Sequence, residues 1–247
     1  MIVKRTFDFV FAFLGLLLLS PVLVIFMLLV FFQDKSSPIY KAPRVGLNGK
    51  IFTMVKMRSM VVDADRTKVD STSSDDLRIT PIGQTIRKYK LDELMQLWNV
   101  FIGEMSLVGP RPNVERDVDL YTQEEKKILT IKPGITDLSS IVFSDEGDIL
   151  EGSDDPDLLY NQIIRPWKSR LCLLYINHRN LFLDIKLIFW TVRSILSKDQ
   201  VLGSIHKELI KISDDENLIE ICKRDKKLYP YPPPGQDHIV NSRKVIG

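Results

Sequence analysis

Between Phe9 and Phe32 the chain runs for 24 residues without a charged side chain. As a helix rising about 1.5 Å per residue, that stretch is about 36 Å long, enough to cross the ~30 Å hydrocarbon core of a bilayer. A cleaved leader is disfavoured, because the run exceeds a usual leader core and no Ala-x-Ala-like site follows it. Ser20-Pro21 falls at its middle, where proline removes one backbone hydrogen bond and crowds the preceding turn, so a kink is expected there. Lys4 and Arg5 precede the run, and Lys35, Lys41, Arg44 and Lys50 follow it. Positive charge on both flanks favours both ends on the cytoplasmic face. A re-entrant membrane helix over residues 1–35, broken at Ser20-Pro21, satisfies kink and charge together; a bent single span is the alternative.

The remainder has globular composition, with 45% hydrophobic and 27% charged residues overall. Lys+Arg 34 against Asp+Glu 32 is too balanced for affinity drawn from nucleic-acid phosphates, so no nucleic-acid partner is expected. Two cysteines make no disulfide framework. Cys172 with His178 lacks a zinc spacing and reads as core.

Arg44 to Arg58 predicts a β-hairpin, because Asn48-Gly49 accepts the positive φ of a tight turn and the second arm alternates, placing Lys56 and Arg58 on one face. Residues 63–77 are rich in Asp, Ser and Thr and predict a loop. From Thr85 a helical stripe of Leu91, Leu94, Met95, Trp98, Phe101 and Ile102 appears, with Asp92, Gln96 and Asn99 on the opposite side. Gly109-Pro110-Arg111-Pro112 is stiff and extended, so Arg111 is held. Glu115 to Lys127 predicts a helix, Pro133-Gly134 a turn, and Leu158 to Leu196 two helices meeting at 177–180. The second, Phe182 to Leu196, suits either the membrane interface or the core. Past Ser197 the chain is charged and ends in Tyr229-Pro-Tyr-Pro-Pro-Pro234, with a solvated tail over the last dozen residues.

The chemistry-bearing cluster is Asp92-Glu93 among Arg78, Arg87, Lys88, Lys90 and Arg111. Two carboxylates in a first helical turn have a bland explanation in the helix dipole. Bases crowded beside them point instead to an anion site at the membrane surface. An aspartate is anionic at neutral pH and can act as a nucleophile without a base, while arginines pair phosphate oxygens bidentately. A divalent cation with oxygen ligands would screen two anions brought together.

The chain resembles the monotopic phosphoglycosyl transferases, or bacterial sugar transferases. The runs that carry the resemblance are Lys4-Arg5 with Asp8, Ser20-Pro21, Pro38-Ile-Tyr40, Arg44-Val-Gly46, Lys56-Met-Arg58-Ser-Met60, Arg78-Ile-Thr-Pro-Ile-Gly83, Arg87, Leu91-Asp92-Glu93-Leu94, Gln96-Leu-Trp-Asn-Val100, Gly103-Glu-Met-Ser-Leu-Val-Gly-Pro-Arg-Pro112 and Lys132-Pro-Gly-Ile-Thr136. They occur in family order and reach residue 196. The resemblance implies an α+β fold, mainly helical with a small β-hairpin: the re-entrant helix, a cytoplasmic catalytic domain over 36–197 with interfacial amphipathic helices, and a charged extension over 198–247. It implies transfer of a phosphosugar from a nucleotide diphosphate sugar, usually a UDP-sugar, to polyprenyl (undecaprenyl) phosphate at the bacterial inner membrane. Asp92 would be the nucleophile and a Mg2+ ligand, Glu93 its auxiliary, and Lys56, Arg58, Arg78, Arg87 and Arg111 the phosphate-binding residues. A catalytically weak membrane scaffold is the alternative, and a homo-oligomer is left open. Met95, Ala42-Pro43, Asp137 and Ser144 depart from the family pattern; Ser144 stands near where a phosphate-contacting arginine is expected.

Overall fold

The computed structural model describes residues 2–67 and 71–242. Its elements are α1 (Ile2–Asp34), β1 (Ile39–Val45), β2 (Ile51–Met57), α2 (Pro81–Lys88), α3 (Leu91–Leu94), α4 (Leu97–Ile102), β3 (Ser106–Val108), α5 (Glu115–Val118), β4 (Gly134–Thr136), α6 (Leu138–Val142), α7 (Glu146–Ile149), α8 (Pro156–Leu159), α9 (Arg165–His178), α10 (Leu181–Ser194), α11 (Lys198–Ile212) and α12 (Glu216–Ile221). The expected class, mainly helical with a small antiparallel hairpin, holds. In the hairpin β1 pairs β2 from Ile39↔Met57 to Val45↔Ile51. Its turn uses Asn48 at φ 55° and Gly49 at φ 76°, the left-handed values that the Asn-Gly pair tolerates.

The helix α1 is long and apolar enough to cross a membrane. It runs unbroken through Pro21. Pro21 has no N–H for the carbonyl of Leu17, and the Ser20 hydroxyl donates to that carbonyl at 2.8 Å instead. The Ser-Pro pair thus supplies within one turn the bond that proline removes. Both halves of α1 lie against the remainder of the chain. Before Pro21, Ala12, Leu16 and Leu19 pack on Leu97, Val100 and Met105. After it, Leu23, Phe26, Met27 and Val30 pack on Met57, Ile82, Ile86 and Leu91.

Polar contacts fasten the two ends. Lys4 pairs Asp184 at 2.6 Å, Arg5 donates to the carbonyls of Val100 and Phe101 at 2.6 and 2.7 Å, and buried Asp8 accepts from Ser106 and Leu107. At the other end, Arg58 grips both oxygens of Asp34 at 2.6 and 2.7 Å. The opposite face of α1, including Phe9, Phe13, Leu17, Leu18, Ile25 and Phe32, is exposed. Exposed Trp98 and Ile102 of α4 and Phe182, Ile185, Phe189 and Val192 of α10 add to this apolar surface. The core reading of α10 holds for one face, where Leu183, Leu187 and Trp190 are buried.

The main core gathers α6, α9, α10, α11 and α12 around Trp167, Leu171, Leu187, Val201, Leu209 and Ile221. Residues 198–221 therefore share the core of the residues before them. The proline-rich segment also docks: Tyr231 stacks on Trp167 with ring centroids 4.3 Å apart, and Thr122 donates to the Pro234 carbonyl at 2.5 Å. Of the dozen final residues expected to be solvated, those to 242 lie mostly at the surface and 243–247 fall outside the described residues.

Two other expectations are corrected. The helix expected over Glu115–Lys127 is cut, because Thr122 and Glu125 form a reciprocal capping pair, each accepting the other's backbone N–H at 3.0 Å, and start a new turn. The expected turn at Pro133-Gly134 leads into β4, which pairs in parallel with β3. That pairing needs Gly134 in β4 and Gly109 just past β3, since a Cβ on Gly134 would sit 2.1 Å from the Gly109 nitrogen and one on Gly109 2.6 Å from the Lys132 carbonyl oxygen.

Candidate active site

The stripe expected as one helix from Thr85 divides into α2, α3 and α4. Thr80 caps α2, its side chain accepting from Gly83 N. Gly83 lets α2 meet the Ser59 backbone, for a Cβ there would lie 1.8 Å from the Ser59 carbonyl oxygen. Lys90, at φ 53°, then breaks the chain direction so that Leu91 opens α3 with Asp92 and Glu93 in its first turn. Leu91, Leu94 and Met95 face α1. Met95, one of the departures, is thus a packing residue. Gln96 and Asn99 are fully buried rather than part of an open polar strip. Asn99 ties α4 to β2, accepting from Val55 N at 2.9 Å and donating to Thr53 O at 2.7 Å.

Arg111 arrives on the stiff Gly-Pro-Arg-Pro segment, which β4 holds through Gly109 N to Thr136 O and Gly134 N to Pro110 O, both 2.9 Å. Its Nη2 donates to Glu93 Oε1 at 2.6 Å. Lys56 comes from β2 and Arg87 from the last turn of α2, where its Nε donates to Ser59 Oγ at 3.1 Å. Lys56, Arg87, Lys90 and Arg111 each feel the charge of Asp92 and Glu93, so hairpin, helices and extended segment converge on one anionic pair ringed by cations.

The two carboxylates are not equivalent. Burial pushes Glu93 up, but Arg111 and Lys56 outweigh it and hold the group at about 2. Burial also pushes Asp92 up, and there it prevails over the opposing pull of Lys56. Asp92 makes no ion pair or side-chain hydrogen bond among the described residues. Glu93 is held by Arg111, whereas the oxygens of Asp92 are unengaged among the described residues. Burial lowers Lys56 to about 8, with Arg111 adding to the effect.

Of the seven expected charged site residues, Asp92, Glu93, Lys56, Arg87 and Arg111 come together. Arg78 stands one step behind, paired with Asp76 at 2.6 Å and within the field of Arg87. Arg58 does not share a face with Lys56, because β2 ends at Met57 and the Arg58 guanidinium turns to Asp34 and the Ser37 carbonyl. Sequence reasoning missed Glu146 of α7, whose charge reaches Arg111 and which pairs Lys168 at 2.8 Å. No local signal marks it, as Arg111 is far away in sequence. Asp137, another departure, caps α6 by accepting from Ser140 N at 2.7 Å and takes the Cys172 thiol at 3.2 Å, so it is structural.

Residues 1–198 match the bacterial sugar transferase family profile. The chain belongs to that family. It is 36% identical over 211 residues to the UDP-galactose-lipid carrier transferase of Erwinia amylovora, covering 79% of this chain and 41% of that protein. It is 34% identical over 211 residues to the undecaprenyl-phosphate galactose phosphotransferase of Salmonella typhimurium, with coverage of 79% and 41%. It is 40% identical over 153 residues to the exopolysaccharide production protein ExoY of Sinorhizobium fredii, covering 56% of this chain and 68% of that protein. The chain thus spans about two fifths of the length of the first two relatives.

Proposed function

We propose that this sugar transferase moves a sugar phosphate from a nucleotide diphosphate sugar, with a UDP-sugar as the expected donor, to undecaprenyl phosphate. The observation that carries the reading is the pairing of an unengaged Asp92 with a Glu93 locked to Arg111 inside a ring of cations. Asp92 Oδ attacks the β-phosphorus, an aspartyl–phosphorus bond forms, and the bond to the bridging oxygen breaks, so the nucleoside monophosphate leaves with that electron pair. A phosphate oxygen of the lipid then attacks the same phosphorus, the aspartyl bond breaks, and Asp92 is restored as carboxylate. Arg87, Lys56 and Arg111 hold the phosphate oxygens and stabilise charge on them, a role suited to guanidinium and ammonium groups fixed in a low-dielectric site. The names of relatives that act on lipid carriers support the acceptor.

Mg2+ fits the donor set. Asp92 and the second oxygen of Glu93 are hard oxygen ligands, and no group of three or more candidate ligands occurs among the described residues. A cation there would take its other ligands from substrate phosphates and water, the habit of Mg2+. When bound it would neutralise the diphosphate.

For the membrane, we infer a monotopic arrangement on the cytoplasmic face of the inner membrane. Lys4 and Asp34 at opposite ends of α1 both bind the one folded domain, and α1 packs on it along both halves. A helix laid along the domain presents its exposed apolar face, with those of α4 and α10, to one leaflet. The test of the chemistry is to incubate detergent-extracted protein with a panel of UDP-sugars and Mg2+. Release of at most one equivalent of UMP without acceptor, together with a phosphosugar mass adduct that disappears on adding undecaprenyl phosphate, is the expected result; no adduct and no acceptor-independent release would overturn the covalent route.

A further inference from the structure

From residue 198, where the family match ends, the chain returns to a segment that adjoins the cation ring. Asp145, just before α7, receives two cations from this extension: Lys198 Nζ at 2.8 Å and Arg224 Nη2 at 3.0 Å. Arg224 is nine-tenths buried, lies over the Phe143 ring at 5.2 Å, and takes a left-handed backbone at φ 59°. Ser144, the departure at an expected arginine, is bracketed by these two contacts. The next residue, Glu146, pairs Lys168 and acts on Arg111.

The other side of α7 holds the polar segment 71–78. The Gly147 carbonyl accepts Ser74 N at 3.0 Å, and a Cβ on Gly147 would come within 3.3 Å of that nitrogen. Ser71 N donates to Asp157 at 2.7 Å. Two residues past Ser74, Asp76 pairs Arg78 at 2.6 Å and neighbours Arg87. One continuous chain of contacts therefore runs from Arg224 through Asp145, α7 and Ser74 to the Asp76–Arg78 pair.

We propose that Arg224 and Lys198 are positioning residues that, through Asp145 and α7, fix segment 71–78 and thereby set the reach of Arg78 and Arg87 toward the donor diphosphate. The residues that hold this wall of the site lie partly outside the family match. The proposal rests on the transferase reading for its kinetic consequence but not for its structural one.

The test is amide hydrogen exchange on the full-length protein in detergent, with steady-state kinetics on the UDP-sugar that wild type turns over. Arg224→Gln and Asp145→Asn should each speed exchange in 71–78 by about tenfold, the scale of one lost net interaction. Each should raise the donor KM about fivefold with kcat within about twofold, and the double variant should be no worse than the stronger single one, as expected for coupled residues. Arg224→Lys should restore most of both. Lys226→Met, which removes an exposed pair with Glu220, should leave both unchanged. Wild-type exchange in 71–78 for both primary variants, strictly additive effects, or a kcat loss at constant KM would overturn the proposal. Should Arg224→Gln fail to fold, Asp145→Asn and Arg224→Lys decide it. If wild type turns over no UDP-sugar, the transferase reading falls and exchange alone decides the positioning.

Discussion

Two acid-base clusters in this molecule look alike in composition and differ in satisfaction. In the core, Glu125 accepts from both Arg165 Nε and Nη2, from Ser169 Oγ at 2.7 Å and from Thr122 N, while Arg165 also reaches Asn161 at 3.0 Å and the Leu120 carbonyl. Every group there is matched, under the docked proline-rich strap. At the candidate site Glu93 is matched by Arg111, while among the described residues Asp92 is not engaged and Lys56, Arg87 and Lys90 have no ion-paired carboxylate of their own. Burial is common to both, so burial does not set them apart; surplus cation beside an unengaged carboxylate does.

Neutralising one acid in each cluster should separate the two most clearly. Asp92→Asn should lower turnover by roughly 10³-fold or more, as removal of a nucleophile does, and leave thermal stability near wild type. Glu125→Gln should do the reverse in kind, costing about 3–5 kcal/mol of stability by leaving Arg165 buried with too few acceptors. Retained activity in the first, read by UMP release, or an unchanged melting curve in the second, would erase the distinction.

A smaller effect is expected from Glu93→Gln, about ten- to a hundredfold in kcat/KM, because it frees Arg111 without removing the nucleophile. A loss equal to that of Asp92→Asn would exchange the two roles.

Lys56 sharpens the comparison through pH. With its folded value near 8, the charge that helps hold phosphate is lost as pH rises through 8, so kcat/KM should fall on that limb. Stability moves the other way. Between about 8 and the ordinary lysine value of 10.5, the unfolded chain holds a proton that folded Lys56 has lost, so this residue's contribution to stability rises with pH. Lys56→Arg should carry the alkaline limb beyond pH 9 in a pH-rate profile; an unmoved limb would assign it to another group.

The smallest change is Ser20→Ala, which leaves the Leu17 carbonyl without its substitute donor and should cost about 0.5–1.5 kcal/mol in a denaturation curve. No measurable cost would mean that water or lipid headgroups satisfy that carbonyl.

Much of the site was legible because it is written in contiguous runs. Asp92-Glu93, the Gly-Pro-Arg-Pro segment and the Asn-Gly turn each announce themselves within a few residues, and period two puts Lys56 on one face of the second arm together with Arg58. The same period misplaced Arg58, since alternation says nothing about where a strand stops and the ion pair with Asp34 decides that side chain's direction. Thr122-x-x-Glu125 is a readable capping signal inside a segment whose pattern predicts one helix. Glu146, Arg224 and the strap carry no local mark.

The apolar helix, the hairpin, the acid pair and the family can be read along the chain. Those rest on properties of neighbouring residues: transfer free energy summed over one segment, turn conformations, and side-chain periodicity. Which acid is held by Arg111, where Arg58 goes, that both ends of α1 bind one domain, and that the extension enters the core are settled by contacts in the folded chain. Each of these is a pairing across a long stretch of chain, such as Lys4 with Asp184 or Arg224 with Asp145. Such pairs form only after the intervening chain has folded, and which partner wins depends on burial and competing charges that no single window of sequence contains.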